Sequence, residues 1–280
     1  MASMDKPVLN GIQRAWLQEI GLDARMLAHF GVKPSARAAE PAAEAPQVKQ
    51  ATPGATLVAD LLKRTPLPQA ADAGEANVAT DCSAAAAVSD AQHADLNQLR
   101  GLAEQCQACG LHEVRGRVVF GEGLESAPQW MFVGEAPGEY DDSVGRPFQG
   151  RAGELLRSML KSIGIMDDGP AYFTNVLKCR PMGNRSPQAA EVAACMPLLR
   201  RQIQLLRPAC LVALGRVSAS ALLGRDDDLD QLRGKVHHYV DEEGRSIPLV
   251  VTYHPASLLL HGQLKAEAWR DLNLLADLHA

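Results

Sequence analysis

The sequence is poor in aromatic residues and has no long apolar run. Phe, Trp and Tyr together make up 4% of the 280 residues, so an aromatic side chain on a loop is informative. No stretch reaches the roughly 18 consecutive apolar residues that a membrane-spanning helix needs. The first residues also lack the basic start and apolar core of a secretory signal. We therefore expect a cytoplasmic protein whose six cysteines are metal ligands or free thiols rather than disulfides.

A net positive charge is also absent. The formal charge is −5, whereas proteins that bind nucleic-acid phosphates usually present a basic surface. This argument applies to the whole chain and does not exclude a local basic patch. We expect such a patch, a basic rim, from the grouped side chains of Arg146, Arg151, Lys178, Arg180 and Arg185.

Composition divides the chain into three regions. Residues 1–31 include apolar positions at helical spacing around Trp16, which predict an N-terminal helix. Residues 32–94 are rich in Ala and Pro and have few large apolar side chains, which predicts a disordered linker. Residues 95–280 have the pattern of a globular domain, and hydrophobic residues make up 46% of the whole sequence.

Four apolar runs in the globular region predict buried strands: WMFVGE, AYFTNVL, ACLVALG and PLVVTYH. Helical patterns lie between these runs. Continuous apolar strands that alternate with helices are typical of an α/β fold, in which helices cover both faces of a parallel sheet. Ligands of such sheets bind beyond the carboxyl ends of the strands. The residues at these ends, which include Glu135, Asn175 and His254, are therefore candidates for a functional site.

Four cysteines are candidate metal ligands. Cys106 and Cys109 form a C-x-x-C pair ahead of the first strand, Cys179 follows the second strand, and Cys195 lies in the next helix. Four thiolates can hold either an iron–sulfur cluster or zinc. The wide spacing of the second pair favours iron–sulfur, because zinc sites more often use two C-x-x-C knuckles. The alternative is an ordinary buried thiol, which is our interpretation of Cys210 inside a strand.

Each candidate active-site residue has a functional and a structural interpretation. Glu135 begins GEAPG, where a Pro-Gly turn exposes backbone N–H groups, but an ordinary strand-to-loop turn has the same sequence. Phe148 is an aromatic on the GRPF loop and could stack on a base or pack in the core. Asn175 offers a donor and an acceptor to a pyrimidine edge, or satisfies nearby backbone. His254 can donate to a leaving group that develops charge, or is a structural histidine.

Four motifs, taken together, resemble the family 4 uracil-DNA glycosylases: GEAPGE, GRPFQGRAG, TNVLKCRP and HPASLL, with the four cysteines in this order. The resemblance covers residues 95–278. It implies a three-layer α/β/α sandwich with a central four-stranded parallel sheet. It also implies an enzyme of base excision repair that flips uracil out of DNA and hydrolyses its N-glycosidic bond, leaving an abasic site.

The resemblance further implies roles for individual residues. Phe148 would stack on the flipped uracil and Asn175 would hydrogen-bond its pairing edge. His254 would donate to uracil O2 as the bond breaks, and Glu135 would orient the attacking water. Asp141 is the candidate for thymine rejection. The remaining substrate contacts would come from the turn after the first strand, at Gly134, Ala136 and Gly138.

Two further features are implied in the same way. A [4Fe–4S] cluster would be held by Cys106, Cys109, Cys179 and Cys195 and would order loops near the DNA. One of three leucines would wedge into the space that the extruded base leaves, namely Leu258, Leu259 or Leu260.

Two functional hypotheses remain open from the sequence. The first is a monomeric glycosylase that acts on uracil in single- or double-stranded DNA. The second is a non-catalytic iron–sulfur DNA-binding or adaptor protein of the same fold. The N-terminal helix around Trp16 fits a docking peptide for a replication or repair partner, or a helix that packs back on the domain. We expect no contact with a membrane.

Overall fold

The computed structural model describes residues 8–9, 17, 31–32, 91–166 and 169–278. The chain divides into two units, residues 1–78 and residues 79–280. In the first unit, strand β1 (Val8–Leu9) pairs in parallel with strand β2 (Gly31–Val32). The predicted N-terminal helix and the predicted linker at 32–94 lie almost entirely outside the described residues, and so does the docking role assigned to that helix.

The second unit is built on a mixed six-stranded sheet. Its strands are β3 (Glu122–Gly123), β4 (Trp130–Gly134), β5 (Ala171–Asn175), β6 (Cys210–Leu214), β7 (Val236–Val240) and β8 (Ser246–Thr252). Their order across the sheet is β3-β5-β4-β6-β8-β7. The four central strands run parallel to one another, and β3 and β7 pair antiparallel at the two edges. The predicted α/β fold and its four parallel strands are confirmed.

The two edge strands were not predicted, and their sequences explain the omission. Strand β3 has two residues, and the second is Gly123 with a φ of 127°. Strand β7 reads VHHYV, and the exposed side chain of His238 interrupts its apolar pattern. An edge strand is covered on one side only, so it lacks the continuous apolar run that identifies a central strand.

The described part of the second unit contains eight helices of four or more residues. They are α1 (Leu96–Gln105), α2 (Glu139–Val144), α3 (Arg151–Ser162), α4 (Ala189–Leu206), α5 (Arg216–Leu223), α6 (Leu229–Leu232), α7 (Pro255–Leu260) and α8 (Lys265–Asp277). Three 3-10 turns join them, at Gly110–Glu113, Met182–Asn184 and Gly262–Leu264. No helix within the described ranges has the length and apolar character to cross a bilayer.

Helices cover both faces of the sheet. Successive residues of a strand point to opposite faces, and on one face Met131 and Leu211 pack with Leu199 of α4. The other face presents Phe132 and Val212, which are buried. Helix α8 contacts β8, and helix α3 contacts both α7 and α8. The result is the expected three-layer sandwich.

The core of this unit also extends toward the N-terminus. Helix α1 packs on α4, and Asp95 caps its start by accepting a hydrogen bond from the backbone of Gln98. Ala91 and Ala94 are buried in the same cluster as Leu99. The packed part of the unit therefore begins before residue 95.

The sheet register places the functional candidates at one edge. Gly134 at the end of β4 pairs with Asn175 at the end of β5, and Leu214 of β6 pairs with Thr252 of β8. His254 follows Thr252 by two residues. The carboxyl ends of these parallel strands therefore converge, as expected for a ligand-binding edge.

Candidate active site

A cavity of about 410 Å³ lies beyond the carboxyl end of β4. Four segments form its wall: the turn after β4, the residues from α2 into α3, the segment after β5, and the start of α7. Six of the predicted site residues line it, namely Glu135, Ala136, Gly138, Asp141, Phe148 and His254. The other two, Gly134 and Asn175, contact each other where Phe148 meets the sheet.

Phe148 and Asn175 meet over Gly134. A Cβ built on Gly134 would lie 2.3 Å from Asn175 Oδ1 and 2.9 Å from Phe148 Cζ. Both distances are too short for a real side chain, so only glycine lets the ring and the amide approach the end of β4. Glycine at this position is therefore required for the contact between the two side chains.

The backbone of Phe148 is in an uncommon conformation. Its φ is 56°, in the left-handed region that non-glycine residues seldom adopt. A Cβ on Gly153 would lie 1.7 Å from the Phe148 carbonyl oxygen, so α3 approaches this backbone closely. Arg157 Nη1 donates to the same oxygen at 3.1 Å. Strained backbone of this kind clusters at functional sites, where the surrounding contacts maintain it.

The side-chain amide of Asn175 has one atom without a partner. Asn175 is 1% exposed, and its Nδ2 makes no hydrogen bond within the part of the chain that the structure describes. A buried donor left unpaired is costly, and native proteins rarely keep one. A ligand with an acceptor at this point would satisfy it.

His254 is held as a neutral imidazole with a defined tautomer. The backbone N–H of Ala256 donates to His254 Nδ1 at 3.2 Å, so Nδ1 is the acceptor and Nε2 carries the proton. Burial lowers the pKa of His254 to about 4, and the charge of Asp141 opposes this shift. The ring centroid of His254 lies 6.3 Å from that of Phe148. His254 can therefore donate through Nε2 beside the aromatic ring.

Glu135 contributes a carboxyl group to the cavity wall. Burial raises the pKa of Glu135, and a hydrogen bond from Ser186 opposes the rise. Its backbone is fixed to the strand edge, because Leu177 N–H donates to the Glu135 carbonyl at 3.1 Å. A partly desolvated carboxyl on the cavity wall can accept a proton or orient a water molecule.

Asp141 holds two of the cavity's loops together. Its Oδ2 accepts from the backbone of Gly138 at 3.1 Å, and its Oδ1 accepts from the backbone of Gln149 at 2.7 Å. Gln149 follows Phe148, so this carboxylate fixes the Phe148 loop to the turn after β4. The role of Asp141 in thymine rejection stays a prediction.

The basic rim that we predicted exists in part. Arg151 and Arg185 line the cavity, and Arg180 pairs with Glu139 at 3.8 Å. Lys178 was wrongly included, because it is 1% exposed and therefore not on the surface. Its Nζ instead donates to the side chain of Thr174 at 2.6 Å and to the carbonyl of Asn175 at 2.8 Å.

The three candidate wedge leucines differ in exposure. Leu258 is 1% exposed, Leu259 is 42% exposed and Leu260 is 80% exposed. A side chain packed in the core is not available to DNA, so the structure disfavours Leu258. Ala256 and Ser257 of the same helix line the cavity, so the helix that carries the exposed leucines forms part of its wall.

Comparison with known proteins identifies the family. The uracil DNA glycosylase superfamily matches residues 120–273. The type-4 uracil-DNA glycosylase of Pyrobaculum aerophilum is 42% identical over 186 residues, which cover 64% of this chain and 91% of that protein. The type-4 uracil-DNA glycosylase of Archaeoglobus fulgidus is 40% identical over 177 residues, which cover 62% of this chain and 87% of the relative. The type-5 uracil-DNA glycosylase of Pyrobaculum aerophilum is 30% identical over 157 residues, or 51% of this chain and 68% of that protein.

The chain belongs to the type-4 uracil-DNA glycosylases. The family resemblance inferred from the four motifs is confirmed. The matched residues begin at 120, just before β3, and end within α8.

The glycosylase carries a second, smaller cavity at its cysteines. Its lining includes all four predicted ligands: Cys106, Cys109, Cys179 and Cys195. Three separate segments supply them, namely the chain after α1, the loop after β5, and helix α4. Burial raises the pKa of the Cys195 thiol to about 12 and raises the pKa values of the Cys109 and Cys179 thiols. Among the described residues, no group of three or more His, Cys, Asp or Glu side chains has the arrangement for a single metal ion.

Two further residues beside the cysteines of the glycosylase were missed from sequence. Arg115 Nη1 donates to Cys179 Sγ at 3.2 Å. Lys178 lines the cavity together with the cysteines. The position of Lys178 directly before Cys179 could have indicated its place at the cysteines. We had instead grouped Lys178 with the arginines of a basic surface. Cys210 is buried inside β6, in agreement with our interpretation of it as a structural thiol.

Asp142 of the glycosylase is another residue that sequence reasoning missed. Its Oδ1 accepts from the backbone of Gly116 at 2.9 Å and from that of Arg117 at 3.2 Å. It therefore joins α2 to the segment that follows the C-x-x-C pair. The EYDDS run looks like a solvated acidic patch, and only the fold shows that Asp141 and Asp142 are buried.

Proposed function

We propose that this glycosylase receives an extruded uracil in the cavity beside Phe148 and hydrolyses the bond between the base and its deoxyribose. The observation that carries this proposal is the unpaired Nδ2 of Asn175, buried beside the Phe148 ring. Uracil offers at its pairing edge a carbonyl acceptor for that donor and an N–H donor for the amide oxygen. The family membership of the chain supports the same substrate.

Phe148 and Asn175 select and hold the base. The Phe148 ring provides a flat apolar surface for a nucleobase, and base–aromatic stacking contributes about 1–3 kcal/mol per base. The left-handed backbone of Phe148 and the carboxylate of Asp141 fix the position of this loop before the substrate arrives. Specificity for uracil then comes from the amide of Asn175, because stacking alone accepts any base.

His254 stabilises the departing base. As the glycosidic bond breaks, negative charge develops on uracil, and a neutral imidazole that donates through Nε2 stabilises it at O2. The hydrogen bond from Ala256 to Nδ1 keeps the imidazole in this tautomer. A neutral donor retains its own proton, so the base leaves as an anion that the site stabilises.

Glu135 acts on the second reactant, the water molecule that attacks the sugar. Its carboxyl lines the same cavity as His254, and its raised pKa makes it a better proton acceptor than a solvated carboxylate. We assign to it the orientation of the water that attacks the sugar. The backbone of Gly134, Ala136 and Gly138 supplies the remaining contacts to the substrate.

The four cysteines fit a [4Fe–4S] cluster. Thiolates bind such a cluster at its outer corners, so the ligands need to surround one cavity rather than meet at one point. Cys106, Cys109, Cys179 and Cys195 do surround one cavity. The bound cluster would supply iron–thiolate bonds that join the three segments and order the loop after β5. It has no part in the hydrolysis.

Release of free uracil tests the proposed activity. Purified protein reconstituted with iron and sulfide should release uracil from single- and double-stranded uracil-DNA and leave an abasic site without strand cleavage. A brown colour with broad absorbance near about 400 nm indicates the cluster. A replete protein that binds uracil-DNA but releases no base would instead identify the non-catalytic adaptor. Docking through the N-terminal helix and a monomeric state remain proposals that this assay does not address.

Leu260 is the side chain that we expect to wedge into duplex DNA. Changing Leu260 to Ala should slow uracil excision from duplex DNA by roughly tenfold or more, because the wedge offsets an unstacking cost of a few kcal/mol. Excision from single-stranded DNA should stay near the wild-type rate, because no stack has to be opened. Single-turnover rates on both substrates measure the difference.

Leu258 is the matched control for this experiment. Leu258→Ala should lower the free energy of unfolding by about 2–5 kcal/mol, because Leu258 is in the core. It should affect the two DNA substrates equally. A duplex-specific defect in Leu258→Ala, or equal defects on both substrates in Leu260→Ala, would contradict the assignment.

A further inference from the structure

Lys178 is a buried lysine whose hydrogen-bond partners are neutral. It is 1% exposed, and its Nζ donates to a hydroxyl, Thr174 Oγ1, and to a backbone carbonyl, that of Asn175. Its ammonium group also lies 6.0 Å from the centre of the Phe120 ring. In the ranges that the structure describes, no carboxylate forms an ion pair with it. A buried amine without an anion gives up its proton, so Lys178 can carry a charge here only if an anionic group lies nearby.

The cysteine cavity is where that anion belongs. Lys178 lines this cavity with Cys106, Cys109, Cys179 and Cys195. Cys179 follows Lys178 directly in the chain, so Lys178 lies beside one of the four ligands. Four thiolates around an oxidised [4Fe–4S] core leave a net charge of about −2 on the centre. Lys178 balances half of this charge.

Arg115 supplies a second positive charge and a mechanical connection. Its Nη1 donates to Cys179 Sγ at 3.2 Å and to the Cys106 carbonyl at 3.2 Å, and its Nη2 donates to the Glu104 carbonyl at 2.6 Å. One planar guanidinium group thus joins the end of α1 to the loop after β5. A lysine cannot make this set of bonds, because it lacks the rigid fork of donors.

The carboxylate of Glu191 does not disturb this balance. Glu191 lies four residues before Cys195 on helix α4. Both of its oxygens are paired with Arg185, however, at 2.6 and 2.9 Å. Its charge is therefore already neutralised.

We propose that Arg115 and Lys178 are positioning residues of the four-cysteine centre, which together neutralise its net negative charge. Arg115 also connects the two segments that carry Cys106 and Cys179. The inference rests on the proposed cofactor. It predicts that both residues affect the rate at which the centre loses iron and its reduction potential. Loss of a second-sphere partner typically costs 10–100-fold in metal affinity.

The test uses the full chain with its cluster under anaerobic conditions. Two quantities are measured for Arg115→Gln, Lys178→Met and the double variant: the rate of iron release to a chelator and the midpoint potential of the cluster. Iron release should accelerate by about tenfold or more. The potential should become more negative, because reduction adds an electron to a centre that has lost a nearby cation. The shifts in the double variant should exceed those of either single variant.

Two further variants separate charge from geometry. Arg115→Lys keeps the charge but not the three-way connection, so it should release iron faster while its potential stays closer to wild type than that of Arg115→Gln. Arg117→Gln is the matched control, because Arg117 is exposed and donates to the Val144 carbonyl instead. Its iron release and potential should equal those of wild type. Should Lys178→Met fail to fold, the three Arg115 and Arg117 variants carry the test.

The outcomes distinguish this inference from the proposed function. Variants of Arg115 and Lys178 that match Arg117→Gln in both measurements would overturn the inference, even if the protein excises uracil. A colourless wild-type protein that holds zinc would overturn the iron–sulfur assignment. In that case the rate of zinc release would still test the two cations, since a zinc centre with four thiolates carries the same net charge. A chain that binds no metal would overturn both.

Discussion

Replacing His254 with alanine is expected to lower the rate of uracil excision by about 100- to 1,000-fold, the usual effect of removing one donor to a developing anion. The loss should appear in the single-turnover rate rather than in DNA affinity, because the donor acts mainly when the bond breaks. His238→Ala is the matched control, since His238 is exposed on the edge strand β7. A His254→Ala variant within a few-fold of wild type would remove His254 from the mechanism.

The neutral state of His254 gives a second measurement of the same prediction. Because burial lowers its pKa to about 4, the imidazole does not titrate between about pH 5 and 8, and the excision rate should show no histidine inflection there. The pKa is lower in the folded protein than its ordinary value of 6.5. The unfolded chain therefore binds more protons between these two values, and the stability contributed by this residue falls as the pH drops through that window. An excision rate that falls as the pH rises through 6.5 in wild type but not in His254→Ala would show that the imidazolium is the active form.

The strands and motifs could be predicted from sequence because their signals are local. A central parallel strand is apolar on both faces, and the runs that end at Gly134 and Asn175 have that composition. Parallel strands then place their carboxyl ends together, which brings Gly134, Asn175 and His254 to one edge. Phe148 reaches this edge from the loop between α2 and α3. The edge strands β3 and β7 lack this composition, so they could not be recognised.

The burial of individual charged residues could not be predicted in the same way. Lys178 is close in sequence to Arg180 and Arg185, and that spacing suggested one basic surface. After β5 the chain instead continues across the cysteine cavity, which buries Lys178 and leaves the two arginines outside. The sequence around Asp141 and Asp142 looks like a solvent-exposed acidic run. Their side chains are buried because they accept hydrogen bonds from backbone N–H groups of other segments. These contacts depend on the packing of distant segments, which no local pattern encodes.

Replacing Asn175 with alanine is expected to abolish base recognition with little effect on stability. Excision should fall by about 100-fold or more, because the variant lacks both hydrogen bonds to the pairing edge of uracil. The free energy of unfolding should change little, since Nδ2 has no partner among the described residues and its removal also removes an unsatisfied buried group. Single-turnover excision and thermal unfolding measure the two effects separately.

Gln202 provides a comparison in the same protein, because its Nε2 is paired while its Oε1, like Asn175 Nδ2, has no partner among the described residues. Its amide is also fully buried, but its Nε2 donates to the Phe120 carbonyl at 3.0 Å and lies 3.4 Å from the Tyr172 hydroxyl. Gln202→Ala should therefore cost about 1–3 kcal/mol of stability while the folded fraction excises uracil normally. If Asn175→Ala instead destabilises the protein as Gln202→Ala does and keeps its excision rate, then Asn175 is a structural amide. In that case the unpaired donor beside Phe148 is not the site of base recognition, and the proposed mode of uracil binding is wrong.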